Sequence, residues 1–134
     1  MRKFLDTNVI LRYLLADHID QSPKAKRFLE KIERGEEKVV ITPLVIAEVV
    51  YVLESTGASR QKISKALLKI ISLRGLQIAN KRILDEVFSV YQKKNIDFVD
   101  AYNAVYAKEK GIREIVSFDK DFDKVAGLER KEPE

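Results

Sequence analysis

Asp6, Glu48, Asp100 and Asp119 are the residues of this chain best suited to do chemistry. Local pattern sets them where strands should end and helices should begin, all at the same end of one sheet. Carboxylates gathered in such a place repel one another and do not stay ionised without a cation. The simplest chemistry for the set is a divalent-metal centre of oxygen ligands, and with it metal-dependent hydrolysis.

Each acid has a plainer role to set beside that one. Asp6 ends the apolar strand pattern Lys3-Phe4-Leu5-Asp6, and in open α/β sheets ligands gather at the carboxyl ends of strands. It could equally cap the next helix. Thr7 and Asn8 could hold Asp6 by hydrogen bonds or serve as cap residues themselves. Glu48 sits among Ile46, Ala47, Val49 and Val50, and a buried carboxylate without a partner is costly. A functional role is favoured over a glutamate that escapes to solvent or pairs with a basic side chain. Asp97-Phe98-Val99-Asp100 reads as an acidic N-cap followed by an acid at N3. Asp97 is assigned to the cap and Asp100, expected to point back toward the strand ends, to the site. Asp119 follows a strand across Ser117-Phe118, and Asp121 and Asp123 follow it in what could be only a polar turn. Asp119, nearest the strand, takes the assignment, with Asp121 second. The run is no EF-hand loop, since the required glycine and terminal glutamate are missing.

Composition narrows the alternatives. The 134 residues suit a single domain with one core. No cysteine is present, which excludes disulfides, thiolate zinc sites and cysteine nucleophiles. His18 is the only histidine, so two-histidine zinc sites are excluded; it reads as an ordinary loop residue. A net charge of +4 and a pI near 9.2 are compatible with a nucleic-acid partner. The 34% of charged residues fits a thermophilic source. No apolar run is long enough to span a membrane. The first residues enter a strand pattern without the apolar segment of a secretory signal, so a cytoplasmic protein is expected.

Strand and helix patterns alternate along the chain, which predicts an α/β fold with mostly parallel strands. After the first strand a short helix runs from Val9 to Leu15. Ser22-Pro23 reads as a cap with proline at the first helical position, opening a helix with Ala25, Phe28, Leu29 and Ile32 on one stripe and a stop at Gly35. Lys38 to Ile41 is a second strand. Thr42-Pro43 repeats the cap signal before the helix Leu44 to Ser55, apolar nearly all round and so expected to be buried. Ser59 caps a helix with Ile63, Leu67, Ile70 and Ile71 facing inward, and Leu76 to Ala79 is a third strand. Asn80 is expected to cap a helix carrying Ile83, Leu84, Val87, Phe88 and Tyr91. The helix after Asp97 places Ala101, Tyr102, Val105 and Tyr106 on one face. Glu114 to Ser117 is a fourth strand, Leu128 to Lys131 a short last one, and the tail from about residue 132 is frayed.

Four stretches taken together resemble a known family. Asp6-Thr7-Asn8 after a strand, Glu48 in an apolar helix, Asp100-Ala101 opening a helix, and Ser117-Phe118-Asp119-Lys120-Asp121-Phe122 near the end are similar to the PIN domain. The likeness is greatest to the compact VapC toxins of type II toxin-antitoxin systems. It runs from Lys3 to about Glu132. It implies one PIN-like domain over 1–134, with a central parallel sheet of about five strands flanked by helices. It also implies a Mg²⁺- or Mn²⁺-dependent ribonuclease, with Asp6, Glu48, Asp100 and Asp119 as the four family acids. Thr7 or Ser117 would match the supporting hydroxyl. A cognate antitoxin and a homodimer are the implied partners.

On that reading Asp6, Asp100 and Asp119 are the metal ligands, Asp119 directly or through water. Glu48 binds a second ion or orients the attacking water. In-line attack by water would leave a 5′-phosphate and a 3′-hydroxyl, as the resemblance implies. Lys3, Arg12, Lys24, Lys26, Arg27, Arg60 and Lys62 are candidates for a basic groove along the RNA, and Tyr13 or Tyr102 for stacking on a base. Rival readings are an RNA-processing or structure-specific nuclease on the same site, and a non-catalytic RNA-binding module. A phosphotransfer domain built on Asp6 fits poorly, because Asn8 stands where such enzymes usually carry a second aspartate.

Overall fold

The computed structural model describes residues 1–134. The backbone divides into two compact units, Met1–Lys81 and Arg82–Glu134. In the first, β1 (Lys3–Phe4), β2 (Val39–Ile41) and β3 (Leu76–Ile78) form a parallel sheet in the order β1-β2-β3. Lys3 pairs with Val39, and Val39 with Leu76. Parallel neighbours need long crossovers, usually helical. Here α1 (Thr7–Leu15) and α2 (Gln21–Glu33) connect β1 to β2, and α3 (Pro43–Ser55) and α4 (Arg60–Ile71) connect β2 to β3. Ile10, Ile32, Val39, Ile46 and Leu67 bring one fully buried side chain from each of α1, α2, β2, α3 and α4.

Two of these helices, α3 and α4, begin as their sequence signals require, and α1 begins at Thr7, two residues before the expected Val9. The side chains of Asp6, Thr42 and Ser59 accept hydrogen bonds from the amides of Asn8, Val45 and Lys62, and Pro43 follows its cap. The start of α2 is a correction. The helix begins at Gln21, not after Ser22. The His18 imidazole Nδ1 accepts from the amides of Asp20 (3.3 Å) and Gln21 (3.0 Å), while Ser22 Oγ accepts from the His18 amide (3.1 Å). Ser22 therefore acts backward on the turn and His18 supplies the cap. Pro23 still fits, because first-turn amides have no intrahelical partner. Gly75 is required before β3: a Cβ there would collide with the carbonyl oxygens of Glu37 and Ile32.

α3 departs from the expectation of burial all round. Val45, Ile46, Val49, Val50 and Leu53 are buried, but Leu44 and Tyr51 are 79% and 73% exposed. Positions 44, 48 and 51 share the opposite stripe of the helix. Apolar composition on both faces conceals a helix that buries only one.

In the second unit, the 3-10 turn Lys81–Ile83 leads into α5 (Leu84–Lys93), followed by α6 (Phe98–Glu109), β4 (Glu114–Val116), a second 3-10 turn (Lys120–Lys124) and β5 (Glu129–Lys131). The expected cap at Asn80 is displaced by that first turn. Asn80 takes φ +58° and Ile83 occupies the N-cap position of α5; asparagine tolerates the left-handed region better than most residues. β4 and β5 pair in parallel, Glu114 with Glu129 and Val116 with Lys131. Phe88, Tyr91 and Phe98 pack ring against ring, with 5.1 Å between the Phe88 and Phe98 centroids. Ile96, Ala104, Phe122, Val125 and Leu128 form a further buried cluster. On α6 the buried face is Phe98, Ala101, Ala104 and Val105. Tyr102 is only half-buried and Tyr106 exposed, their rings stacked at 6.3 Å. A tyrosine keeps its polar tip in water while its ring covers apolar surface.

The α/β class and the parallel pairing are those the sequence predicts. The five strands, however, belong to a three-stranded and a two-stranded sheet. Strand pattern shows where a strand ends; it does not show which sheet the strand joins. No helix is long and apolar enough to cross a membrane.

Candidate active site

In the first unit Asp6 stands between the end of β1 and the start of α1. Its Oδ2 accepts from the Asn8 amide at 3.3 Å and its side chain is exposed. Asn8 contributes that amide, and its own side chain is exposed. Thr7, only 6% exposed, donates its hydroxyl to Glu48 Oε1 at 3.0 Å. Glu48 is a correction: it is an exposed residue on the outer stripe of α3, not a buried one. Its direction is nevertheless fixed by the one polar side chain beside Asp6 that is buried. Asp6 and Asn8 also line an open groove of about 700 Å³, bordered by Lys3, Arg12, Lys24 and Phe28. Arg12 Nε donates to Gln21 at 2.6 Å, and Lys3 pairs with Glu37 at 3.1 Å.

In the second unit Asp100 occupies the first turn of α6 and Asp119 the cap of the second 3-10 turn. Asp119 Oδ1 accepts from the Asp121 amide at 2.9 Å, and Ser117 Oγ accepts from the Asp119 amide at 2.9 Å. Asp100 has no such donor. Its carboxyl is pushed above the ordinary aspartate value, first by burial and then by the charges of Asp119, Asp97 and Asp121. Asp97 does not cap α6 through its side chain. It holds the N-cap position and adds its charge to Asp100's surroundings.

Cations in this region are distributed unevenly. Asp121 pairs with Lys124 at 3.0 Å and Asp123 with Arg130 at 3.1 Å. Asp6, Glu48, Asp100 and Asp119 have no ion pair. The acids of the 119–123 run thus separate by chemistry as well as position: Asp119 is left for another cation, while Asp121 and Asp123 are matched within the fold. Arg130 is invisible in the sequence, one of four consecutive charged residues, Glu129-Arg130-Lys131-Glu132.

Residues 3–128 match the PIN domain. The chain belongs to the PIN-domain family. It is also 31% identical over 124 residues to the VapC ribonuclease of Aquifex aeolicus (strain VF5), a match covering 92% of this chain and 91% of that protein. The PIN match spans both units and all four unpaired acids. Every candidate donor is a carboxylate or hydroxyl oxygen, and the chain has no cysteine. That set suits hard divalent cations such as Mg²⁺ or Mn²⁺ and disfavours softer metals. Nowhere in the structure do three or more acidic or histidine side chains form a group that could hold a metal ion.

Proposed function

We propose that this PIN domain is a Mg²⁺- or Mn²⁺-dependent endoribonuclease, the toxin of a toxin-antitoxin pair, acting in the cytoplasm. The observation that carries the reading is Asp100. It is a half-buried carboxyl surrounded by three others, with no hydrogen-bond donor and no ion pair. Its place in the first turn of α6 suits an acid but does not account for the like charges around it, and perturbed carboxyls gather at functional sites. The VapC ribonuclease relationship supports the substrate class and the toxin role. The Lys3, Arg12 and Lys24 groove beside Asp6 supports a polyanionic substrate.

In this reading Asp6, Asp100 and Asp119 would hold the ion, as the PIN-family relationship implies. A bound divalent ion lowers the pKa of water and neutralises phosphodiester charge. Glu48 accepts a proton from the attacking water and orients it. The Thr7 hydroxyl holds Glu48 by occupying Oε1. Asn8 fixes Asp6 through its amide and Asp121 fixes Asp119 the same way, while the Ser117 hydroxyl oxygen accepts from the Asp119 amide. Hydrolysis gives a 5′-phosphate and a 3′-hydroxyl. A homodimer is part of the proposal, supported by the exposed Leu44 and Tyr51 on α3.

The test is cleavage of labelled single-stranded RNA with Mg²⁺ or Mn²⁺, beside EDTA controls and the Asp6→Asn and Asp100→Asn variants. Metal-dependent cleavage lost in both variants is the expected result. Cleavage that persists in them overturns the site. Metal binding without turnover on any RNA favours the non-catalytic module.

A further inference from the structure

We propose that Arg130 is the positioning residue of the active site: it clasps both ends of the turn that carries Asp119. The inference rests on the reading of Asp119 as a metal ligand. The Arg130 side chain lies on β5 and is only 13% exposed. Its Nη1 donates to the Ser117 carbonyl oxygen at 3.0 Å, where the turn leaves β4. Its Nε donates to Asp123 Oδ1 at 3.1 Å, where the turn comes to an end. Asp119 lies between these anchors, held inside by two short bonds, Asp119 amide to Ser117 Oγ and Asp121 amide to Asp119 Oδ1.

This arrangement solves a problem that the Asp119 group creates. Asp119, Asp121 and Asp123 are three acids within five residues, and Asp97 and Asp100 add to the negative field. Without restraint, repulsion would splay the turn and carry Asp119 away from Asp100. Arg130 restrains it at the outer acid, Asp123, and at a neutral carbonyl. It thereby tightens the turn without neutralising Asp119. A planar guanidinium can reach two acceptors in fixed directions at once; a lysine ammonium is a point charge on a flexible stem. Partners that orient metal ligands typically change metal affinity or activity by about 10–100-fold when removed.

The experiment uses the full chain with Arg130→Lys, and Asp123→Asn as a second variant that opens only the exit of the clasp. Three quantities are read: amide hydrogen exchange at Asp119 and Asp121, Mn²⁺ affinity by titration calorimetry, and the Mg²⁺ dependence of RNA cleavage. In Arg130→Lys the two amides should exchange faster while Ala104 and Val105 in α6 keep wild-type protection. Mn²⁺ affinity should fall about 10-fold, and raised Mg²⁺ should restore turnover. Asp123→Asn should show the same changes in weaker form. Unchanged exchange and unchanged Mn²⁺ affinity in Arg130→Lys would overturn the proposal. So would faster exchange throughout α6, which would mark Arg130 as a general stabiliser. Wild-type protein that binds no Mn²⁺ and cuts no RNA sinks the metal reading instead, and is told apart because it needs no variant.

Discussion

The two units hold their carboxylates in different surroundings. In Met1–Lys81 each proposed site acid has a neutral donor: the Asn8 amide on Asp6 and the Thr7 hydroxyl on Glu48. In Arg82–Glu134 the Asp121 amide likewise holds Asp119, but Asp100 has no donor and feels the charges of Asp119, Asp97 and Asp121, while the nearby cations lie on Asp121 and Asp123. A neutral donor fixes where an oxygen points without cancelling its charge. Crowded like charges create a site whose repulsion falls only when a cation or a proton arrives. On the proposed function, the first unit chiefly orients its acids, and the second combines such orientation at Asp119 with unmet charge at Asp100.

The sharpest way to break this division is to neutralise one acid from each side. Asp119→Asn should lower both Mn²⁺ affinity and RNA cleavage, the latter by about 10²–10³-fold, the scale of losing one strong electrostatic contact in a reaction. Glu48→Gln should lower cleavage on a similar scale while leaving Mn²⁺ affinity near wild type. Calorimetry beside single-turnover cleavage reads both. Equal loss of metal affinity in the two variants would erase the distinction.

A smaller effect isolates orientation alone. Thr7→Val keeps the shape of a buried side chain but removes the donor to Glu48. Cleavage should fall by about 10–100-fold, as for other residues that orient a working group. Thr7→Ser should retain activity, because the hydroxyl survives. Thr7→Val at wild-type rate would make the 3.0 Å bond to Glu48 a packing detail.

Charge crowding predicts a stability effect next in size. Asp100 has its carboxyl raised above the ordinary aspartate value in the folded protein. Between the unfolded value and the raised one, the folded state binds more protons. Stability of the metal-free protein therefore falls as pH rises through that window, and the cost persists above it. Asp100→Asn in EDTA at neutral pH should be slightly more stable than wild type, the gain kept small by solvent screening and by the lost charge in the first turn of α6. Below the ordinary aspartate range the difference should vanish. Added Mg²⁺ should stabilise wild type and leave the variant behind. Denaturant melts across pH, with and without metal, measure all three.

How much of this was legible beforehand follows from range. Caps depend on a few adjacent residues, so Asp6, Thr42 and Ser59 declare themselves, and proline at the first turn confirms Thr42. Asp119 is legible as the first acid after a strand. Glu48 misleads, because a run of apolar neighbours hides the fact that positions 44, 48 and 51 share an outer stripe. The His18 cap is missed because imidazole is not among the usual capping side chains. Arg130 depends on Ser117 and Asp123 lying beside β5, a tertiary fact that no local pattern encodes. The division of five strands between two sheets is of the same kind.

Helix caps extend the comparison to its smallest effect. In the first unit the cap residues of α1, α3 and α4 are hydrogen-bonded through their side chains, as Ser59 is to the Lys62 amide at 3.2 Å. Asp97 in the second unit occupies a cap position without such a bond, and its charge is one of those raising the Asp100 carboxyl. Ser59→Ala should cost about 0.5–2 kcal/mol. Asp97→Ala should stay within about 0.5 kcal/mol of wild type, as surface changes that break no specific contact do. The gain from removing a like charge should offset the lost interaction with the positive end of α6. A loss at Asp97 as large as that at Ser59 would show an ordinary cap. The crowding around Asp100 would then be a by-product of helix initiation, and the division of labour between the units would lose its electrostatic half.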